Sequence, residues 1–376
     1  MKVESILIQN FKLFENLEVS FKHKSIQETS NRFLVVGDNG TGKTTLLQAI
    51  ALPLALATRK IQTVYDFEWI GFLPGRYWES GDPKIELEIS FDDREIQTTK
   101  EVAKQWYDRQ PESFKLANRF VEPGDNHSLT IILDGDYWQV GSDRPEERAQ
   151  FQGRYYTLQL LKKTRNQSFR QYFPDLPGVF WFDQFRNLAS QTNLESNSEG
   201  KSERSARASF EFGVGRLRDY LIGWRQTEES GNGHDRTDYL SGIEKLYQKI
   251  FPDRFFVEVE TRPKLDSPTE EEMYFLIEQK SLENKNRRYD LVEMSGGEQS
   301  VFPMLYEFVR QQIAYSVVLI DEIDLNLHSP AAQSLVSQLR KISPTCQFIF
   351  TTHSDAVNDI ITEENTFRLP GGSLCL

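Results

Sequence analysis

The residues best suited to chemistry form the stretch Gly37-Asp38-Asn39-Gly40-Thr41-Gly42-Lys43-Thr44, with the spacing Gly-x-x-x-x-Gly-Lys-Thr. Glycines let a backbone wind so that successive N–H groups point inward at a phosphate chain, and a helix starting there adds the positive end of its dipole. Lys43 brings a mobile positive charge to the β- and γ-phosphates, and the Thr44 hydroxyl suits Mg²⁺. Gly37, Asn39, Gly40, Thr41, Gly42 and Thr45 complete a cradle for ATP with Mg²⁺. Metal and attacking water also need carboxylates beside the phosphates. Val317-Val318-Leu319-Ile320-Asp321-Glu322 supplies two, at the end of four apolar residues. Asp321 is placed to hold the metal through water, and Glu322 to orient or deprotonate the attacking water.

Two further stretches complete the set. Met294-Ser295-Gly296-Gly297-Glu298-Gln299 precedes a helical pattern over Ser300 to Ala314. A hydroxyl and unhindered N–H groups at a helix start make a second anion site. His353 follows the apolar run before it in Thr351-Thr352-His353-Ser354.

These residues need elements to hold them. Phe33 to Val36 is a short apolar strand running into the glycine-rich loop, and Thr45 to Ile50 reads as the helix after it. Val3 to Ile8 and Leu17 to Phe21 read as strands. Lys84 to Phe91 alternates, and Leu129 to Leu133 meets Tyr137 to Val140 across Asp134-Gly135, a tight hairpin turn. Together these predict a small antiparallel sheet inserted after the first helix. Residues 191–208 are polar and almost without large apolar groups, which predicts a mobile loop. Phe210 to Gln226 and Tyr239 to Ile250 have helical spacing, and Phe255 to Glu260, Met273 to Glu278, Val317 to Ile320 and Gln347 to Thr351 read as strands. The expected fold is α/β: a mostly parallel sheet with helices on both faces, completed by both ends of the chain, with an antiparallel β subdomain and an inserted α/β lobe. The sequence divides into 1–70 and 285–376 as the two parts of the catalytic domain, 71–210 as the inserted β subdomain and lobe, and 211–284 as a helical and strand lobe.

Composition bounds the function. The chain has 376 residues, a formal charge of −12, 38% hydrophobic and 27% charged residues, which excludes collagen-like, wholly disordered and membrane-embedded classes. Its longest apolar run, Ala49 to Ala57, is broken by Pro53 and is far below the ~18 residues of a bilayer span. The opening residues do not resemble a secretory signal, and two cysteines, Cys346 and Cys375, cannot build a disulfide framework or a four-ligand zinc site. A cytoplasmic protein is expected. Residues 151–220 hold eleven basic and seven acidic residues, with Tyr155, Tyr156, Phe169, Tyr172 and Phe173 interleaved among Lys162, Lys163, Arg165 and Arg170. That mixture suits either a nucleic-acid surface or the core of a solvated lobe.

The order glycine-rich loop, Ser-Gly-Gly-Glu, apolar strand with Asp-Glu, strand with Thr-His-Ser resembles the ATP-binding-cassette (ABC) class of ATPases. More narrowly it is similar to the SMC, RecF-like and OLD-type branch. Ile6-Leu7-Ile8-Gln9-Asn10-Phe11-Lys12-Leu13-Phe14, Asn39 in the loop, and Asp321-Glu322-Ile323-Asp324-Leu325-Asn326-Leu327-His328 carry the narrower likeness. It covers about the first 60 and last 90 residues. The resemblance implies an ATP hydrolase using Mg²⁺ that forms a homodimer through ATP. Ser295, Gly296 and Gly297 would then contact the γ-phosphate of ATP held by the other subunit, His353 would sense that phosphate from the same subunit, and Asp324 would lie at the dimer seam. Gln184, after the apolar run Phe180-Trp181-Phe182, is the candidate for the family's glutamine linking metal to the inserted lobe. The 54 residues after Glu322 are too few for the nuclease domain of OLD-type proteins, and no heptads support the long coiled coil of SMC proteins. A stand-alone ATPase subunit of repair or defence type is therefore expected, coupled to DNA or RNA or to a separately encoded effector such as a nuclease, and without a membrane. A slow nucleotide-sensing scaffold and a transporter motor are the alternatives.

Overall fold

The computed structural model describes residues 1–23, 26–76, 81–184, 217–226, 239–264, 271–280 and 286–370. The chain divides into two units. The first comprises Met1–Asp183, Gln312–Ile323 and Leu339–Leu376, and the second Gln184–Gln311 and Asp324–Gln338.

Four runs in the first unit, Arg32–Val36 (β3), Gly178–Phe182 (β7), Ser316–Ile320 (β11) and Gln347–Thr351 (β12), are almost wholly apolar and buried. Strands covered on both faces read this way, without alternation. With Thr366–Arg368 (β13) they form a parallel sheet in the order β13-β3-β12-β11-β7. Register sets Thr351 opposite Val35, Ile320 opposite Phe350, and Ile320 opposite Phe182.

Alternating strands form the other sheet. In Lys84–Ser90 (β4), Ile85, Leu87 and Ile89 are buried while Lys84, Glu86 and Glu88 are only partly covered. β4 pairs with Ser128–Asp134 (β5), which turns at Asp134-Gly135 into Tyr137–Val140 (β6). Gly135 has a φ of 62°, as such a turn requires. The sheet is larger than the sequence indicates. Lys2–Phe11 (β1) and Phe14–Ser20 (β2) join it in the order β2-β1-β4-β5-β6, with Ile8 opposite Ile85. The antiparallel sheet is thus begun before the first helix rather than inserted after it.

That helix, Lys43–Ala57 (α1), packs against strands of both sheets, and every residue but Thr44 is buried. A helix apolar all round belongs inside a core, which accounts for the run Ala49 to Ala57. Asp93–Asp108 (α2), Glu112–Ala117 (α3), Pro145–Ala149 (α4) and Gly153–Thr164 (α5) are this unit's other α-helices upstream of β7 among the described residues. α2 and α5 enclose Val102, Ala103, Tyr156, Leu160, Phe169, Phe173 and Leu176. Tyr156, Phe169 and Phe173 are therefore core residues rather than a stacking platform, while Lys162, Lys163 and Arg165 remain exposed.

In the second unit, Arg254–Pro263 (β8), Glu271–Gln279 (β9) and Arg287–Asp290 (β10) form an antiparallel sheet in the order β10-β9-β8. Helix 217–226 (α6) precedes Tyr239–Gln248 (α7), which packs against β8 and Gly296–Arg310 (α8). Ser329–Ile342 (α9) starts in this unit, and Asp355–Asn358 (α10) lies in the first. The loop expected at 191–208 and the start of the helix expected from Phe210 lie outside the described residues. Among the described residues no helix is long and apolar enough to cross a membrane.

Candidate active site

β3 delivers the chain to Gly37, and the loop that follows turns on two glycines with positive φ, Gly40 at 80° and Gly42 at 101°. At Gly42 more than backbone freedom is required, because a Cβ there would lie 2.6 Å from Cζ of Phe14. The loop wraps its own lysine: Lys43 Nζ donates to the carbonyls of Gly37 at 2.7 Å and Asp38 at 3.0 Å. Thr41 Oγ1 also donates to the Asp38 carbonyl, at 2.8 Å. Burial pushes the Lys43 ammonium below its usual range, against the pull of Glu322, Asp321 and Asp38.

β12 lies between β3 and β11, so the ends of three neighbouring parallel strands converge on this loop. Thr44 Oγ1 donates to Asp321 Oδ2 at 2.7 Å. Asp321 Oδ1 accepts from Thr351 Oγ1, also at 2.7 Å, and the Asp321 side chain is buried. Glu322 stands next with a φ of 48°, and its Oε1 lies 3.5 Å from His353 Nε2. Lys43, Thr44, Asp321, Glu322 and His353, all expected from sequence, are thus gathered in one unit. A hydroxyl and a carboxylate in contact are hard oxygen donors suited to Mg²⁺, which keeps several waters and binds through few protein groups. Among the described residues there is no cluster of three or more His, Cys, Asp or Glu able to hold a metal. A Cβ at Gly40 would meet nothing within 4 Å, so the loop is open on that side.

Ser295, Gly296 and Gly297 belong to the second unit, at the start of α8. Ser295 caps the helix: its Oγ donates to Glu298 Oε2 at 2.6 Å and accepts from the Glu298 N–H at 3.4 Å. A Cβ at Gly297 would lie 3.0 Å from the Asn326 carbonyl oxygen, so this position admits only glycine without a shift. Sequence reading assigned no role to Glu298, yet its buried carboxylate also accepts from Tyr247 Oη and Tyr289 Oη, each at 2.6 Å, and from Arg254 Nε at 2.9 Å. Burial opposes its ionisation, but hydrogen bonds from Ser295, Tyr247 and Tyr289 prevail and bring its pKa down to about 2. The spacing Ser-x-x-Glu was the available signal; the tyrosines and Arg254 gave none. Thr351 was likewise missed. Gln184 is exposed, two residues past the end of β7. The Asp324 carbonyl accepts from the Leu327 N–H and the His328 carbonyl from the N–H groups of Ala331 and Ala332, so this segment is the turn leading into α9.

A family model described as "AAA domain, putative AbiEii toxin, Type IV TA system" matches residues 33–359, from β3 through α10. The chain belongs to this family. It is a P-loop ATPase. The chain is 21% identical to the "Retron Vc95 probable ATPase" of Vibrio cholerae, over 97% of this chain and 72% of that protein. It is 24% identical to the "Septu protein PtuA" of Bacillus mycoides, over 94% of this chain but 38% of the relative. A 90-residue stretch, 24% of this chain and 20% of the other, is 39% identical to the "DNA replication and repair protein RecF" of Listeria monocytogenes. Among solved structures, an SMC head bound to the C-winged helix domain of ScpA aligns with 95% of this chain and 91% of its own, at a TM-score of 0.48 and 14% identity. The glycine-rich loop and the acid pair both lie within the matched residues.

Proposed function

We propose that this protein hydrolyses ATP to ADP and phosphate, closing as a homodimer around nucleotide and thereby controlling a separately encoded effector in the cytoplasm. The observation that carries the reading is the contact between the Thr44 hydroxyl and the Asp321 carboxylate, with Glu322 and His353 beside it. Thr44 and Asp321 would hold Mg²⁺, which when bound would neutralise charge on the β- and γ-phosphates. Lys43 exchanges two neutral carbonyl partners for charged phosphate oxygens, a gain for a buried ammonium. Gly37, Asn39, Gly40, Thr41, Gly42 and Thr45 present backbone N–H groups or hydroxyls to the phosphates. Glu322 takes the proton of the water that attacks the γ-phosphorus as the bond to the bridging oxygen breaks, and His353 orients the Glu322 carboxylate. Ser295, Gly296 and Gly297 complete the site of the opposite subunit.

Two relatives named as retron ATPases and one named as a Septu protein support effector control over a transporter role. DNA or RNA remains a second ligand class, contacted through exposed Lys162 and Arg165 rather than through the buried aromatics. The test is steady-state turnover together with nucleotide binding. Lys43→Ala is expected to abolish binding, and Glu322→Gln to bind ATP while hydrolysing it at least ~100-fold more slowly. Unchanged affinity in the first variant or near-normal turnover in the second refutes the reading.

A further inference from the structure

We propose that Thr351 is the positioning residue of this hydrolytic site, holding the Asp321 side chain and the Glu322 backbone through one hydroxyl; the catalytic part of this rests on the ATPase reading above. Thr351 is the last residue of β12 and is fully buried. Its Oγ1 donates to Asp321 Oδ1 at 2.7 Å and accepts from the Glu322 N–H at 2.7 Å. Its carbonyl accepts from the Ile323 N–H at 2.9 Å. The amides before and after the Glu322 Cα–C bond are therefore both pinned to the same residue.

That pinning has a specific task. Glu322 has a φ of 48°, in the left-handed region that a residue with a Cβ enters at a cost. Such a conformation persists only where its surroundings over-determine it. Fixing the amides of residues 322 and 323 fixes φ and ψ of Glu322, and with them the direction of its Cα–Cβ bond and of the carboxylate near His353. The register explains why a side chain is needed. The β11 and β12 ladder pairs Ile320 with Phe350, and the Asp321 N–H turns to the Phe182 carbonyl of β7 at 2.8 Å. At Glu322 the acceptor is then a hydroxyl of β12 instead of a carbonyl. The hydroxyl's own proton goes to Asp321, so two threonines, Thr44 and Thr351, set the plane of that carboxylate from opposite oxygens. Thr351 is buried with its hydroxyl engaged by Asp321 and by the Glu322 backbone, and it acts through the two acids.

Thr351→Val keeps the shape and removes the hydroxyl, whereas Thr351→Ser keeps the hydroxyl and removes the methyl. The valine variant is expected to lose at least ~10-fold in kcat and to need a higher Mg²⁺ concentration for half-maximal turnover, with its Kd for ATP within about threefold of the wild type. The serine variant is expected to recover most of the turnover. Amide exchange provides the readout independent of chemistry: residues 322 and 323 exchange faster in the valine variant and at the wild-type rate in the serine variant. If valine does not fold, Thr351→Ala, which adds no apolar branch beside Asp321, takes its place. Unchanged kcat, Mg²⁺ dependence and exchange without the hydroxyl overturn the proposal. So does an equal loss in both variants that tracks thermal stability, since that is packing alone. If the wild type shows no turnover, the ATPase reading fails, and exchange at residues 322 and 323 decides the positioning role by itself.

Discussion

Replacing Glu298 by Gln tests how the start of α8 is held. The carboxylate accepts on Oε1 from Tyr247 Oη at 2.6 Å, Tyr289 Oη at 2.6 Å and Arg254 Nε at 2.9 Å. On Oε2 it accepts from the Ser295 N–H at 2.9 Å and Ser295 Oγ at 2.6 Å. All these partners are donors, so the amide NH₂ of glutamine faces donors whichever way it turns. The less damaging orientation sets NH₂ against Ser295, whose hydroxyl can reverse and accept but whose N–H is left without an acceptor. Arg254 keeps Asp253 as an ionic partner and loses the buried one. A buried donor left unpaired costs about 1–3 kcal/mol, and breaking a buried ion pair about 3–5 kcal/mol. The two overlap within one network and do not add. A loss of about 3–5 kcal/mol is expected for Glu298→Gln, against about 1–2 kcal/mol for Tyr289→Phe, which deletes one donor and leaves the carboxylate the other four.

The pH dependence has a definite sign. Glu298 ionises at about 2 in the folded protein, below the ordinary 4.5 of a glutamate. A carboxyl group with a depressed folded pKa contributes stability that is fully present above its unfolded value and is lost as pH falls through its folded value. The stability difference between wild type and Glu298→Gln is therefore constant above roughly pH 5 and falls to about half or less by pH 3. Urea unfolding at pH 7, 5 and 3, followed by amide exchange along α8, measures it. A difference below ~1 kcal/mol at pH 7, or one that does not shrink between pH 5 and pH 3, refutes the reasoning.

Gly42→Ala forces a left-handed alanine, costing about 1–2 kcal/mol, and drives its Cβ to 2.6 Å from Phe14, an overpacking worth about 1–3 kcal/mol. Calorimetry is expected to show both the destabilisation and the loss of nucleotide binding, with Phe14→Leu recovering only the packing part; wild-type stability and binding in Gly42→Ala contradict this. For self-association, light scattering is expected to give a dimer for Glu322→Gln with ATP and an inactive monomer for Ser295→Arg. A strictly monomeric protein that hydrolyses ATP overturns the proposed dimer.

What the sequence made legible depended on whether a feature was local. The strands β3, β11 and β12 were plain because buried parallel strands run apolar without a break, and the glycine-rich loop was plain because its chemistry needs residues at fixed spacing. Residues 287–290, Arg-Arg-Tyr-Asp, carry no apolar period, and they form β10 because β9 offers an edge and Asp290 accepts from the Phe275 N–H at 2.8 Å. The membership of β1 and β2 in the sheet of β4 depends on the long-range pairing of Ile8 with Ile85, to which neither segment alone points. The aromatics between Tyr155 and Phe173 were ambiguous because α5 and the turns after it bury one face among exposed lysines, so alternating composition concealed a core.

Thr351 shows why the rest of the site was invisible. Threonine at the end of an apolar strand is ordinary in sequence, and nothing within a few residues of it requires a hydroxyl. The requirement arises from strand order. β12 runs between β3, which ends in the phosphate loop, and β11, which ends in the two acids. Only a residue at the end of that middle strand can meet groups from the segment on either side, and the one-to-one register of a parallel ladder decides which residue that is. On one flank α1, buried between the two sheets, fixes Thr44; on the other β11 fixes Asp321. The Thr44, Asp321 and Thr351 oxygens then form a continuous chain of 2.7 Å contacts that runs from the loop through the acid to the strained backbone of Glu322. On the proposed reading of the site, these three side chains, contributed by three separate segments of the sequence, would tie the glycine-rich loop to the backbone that aims the Glu322 carboxylate.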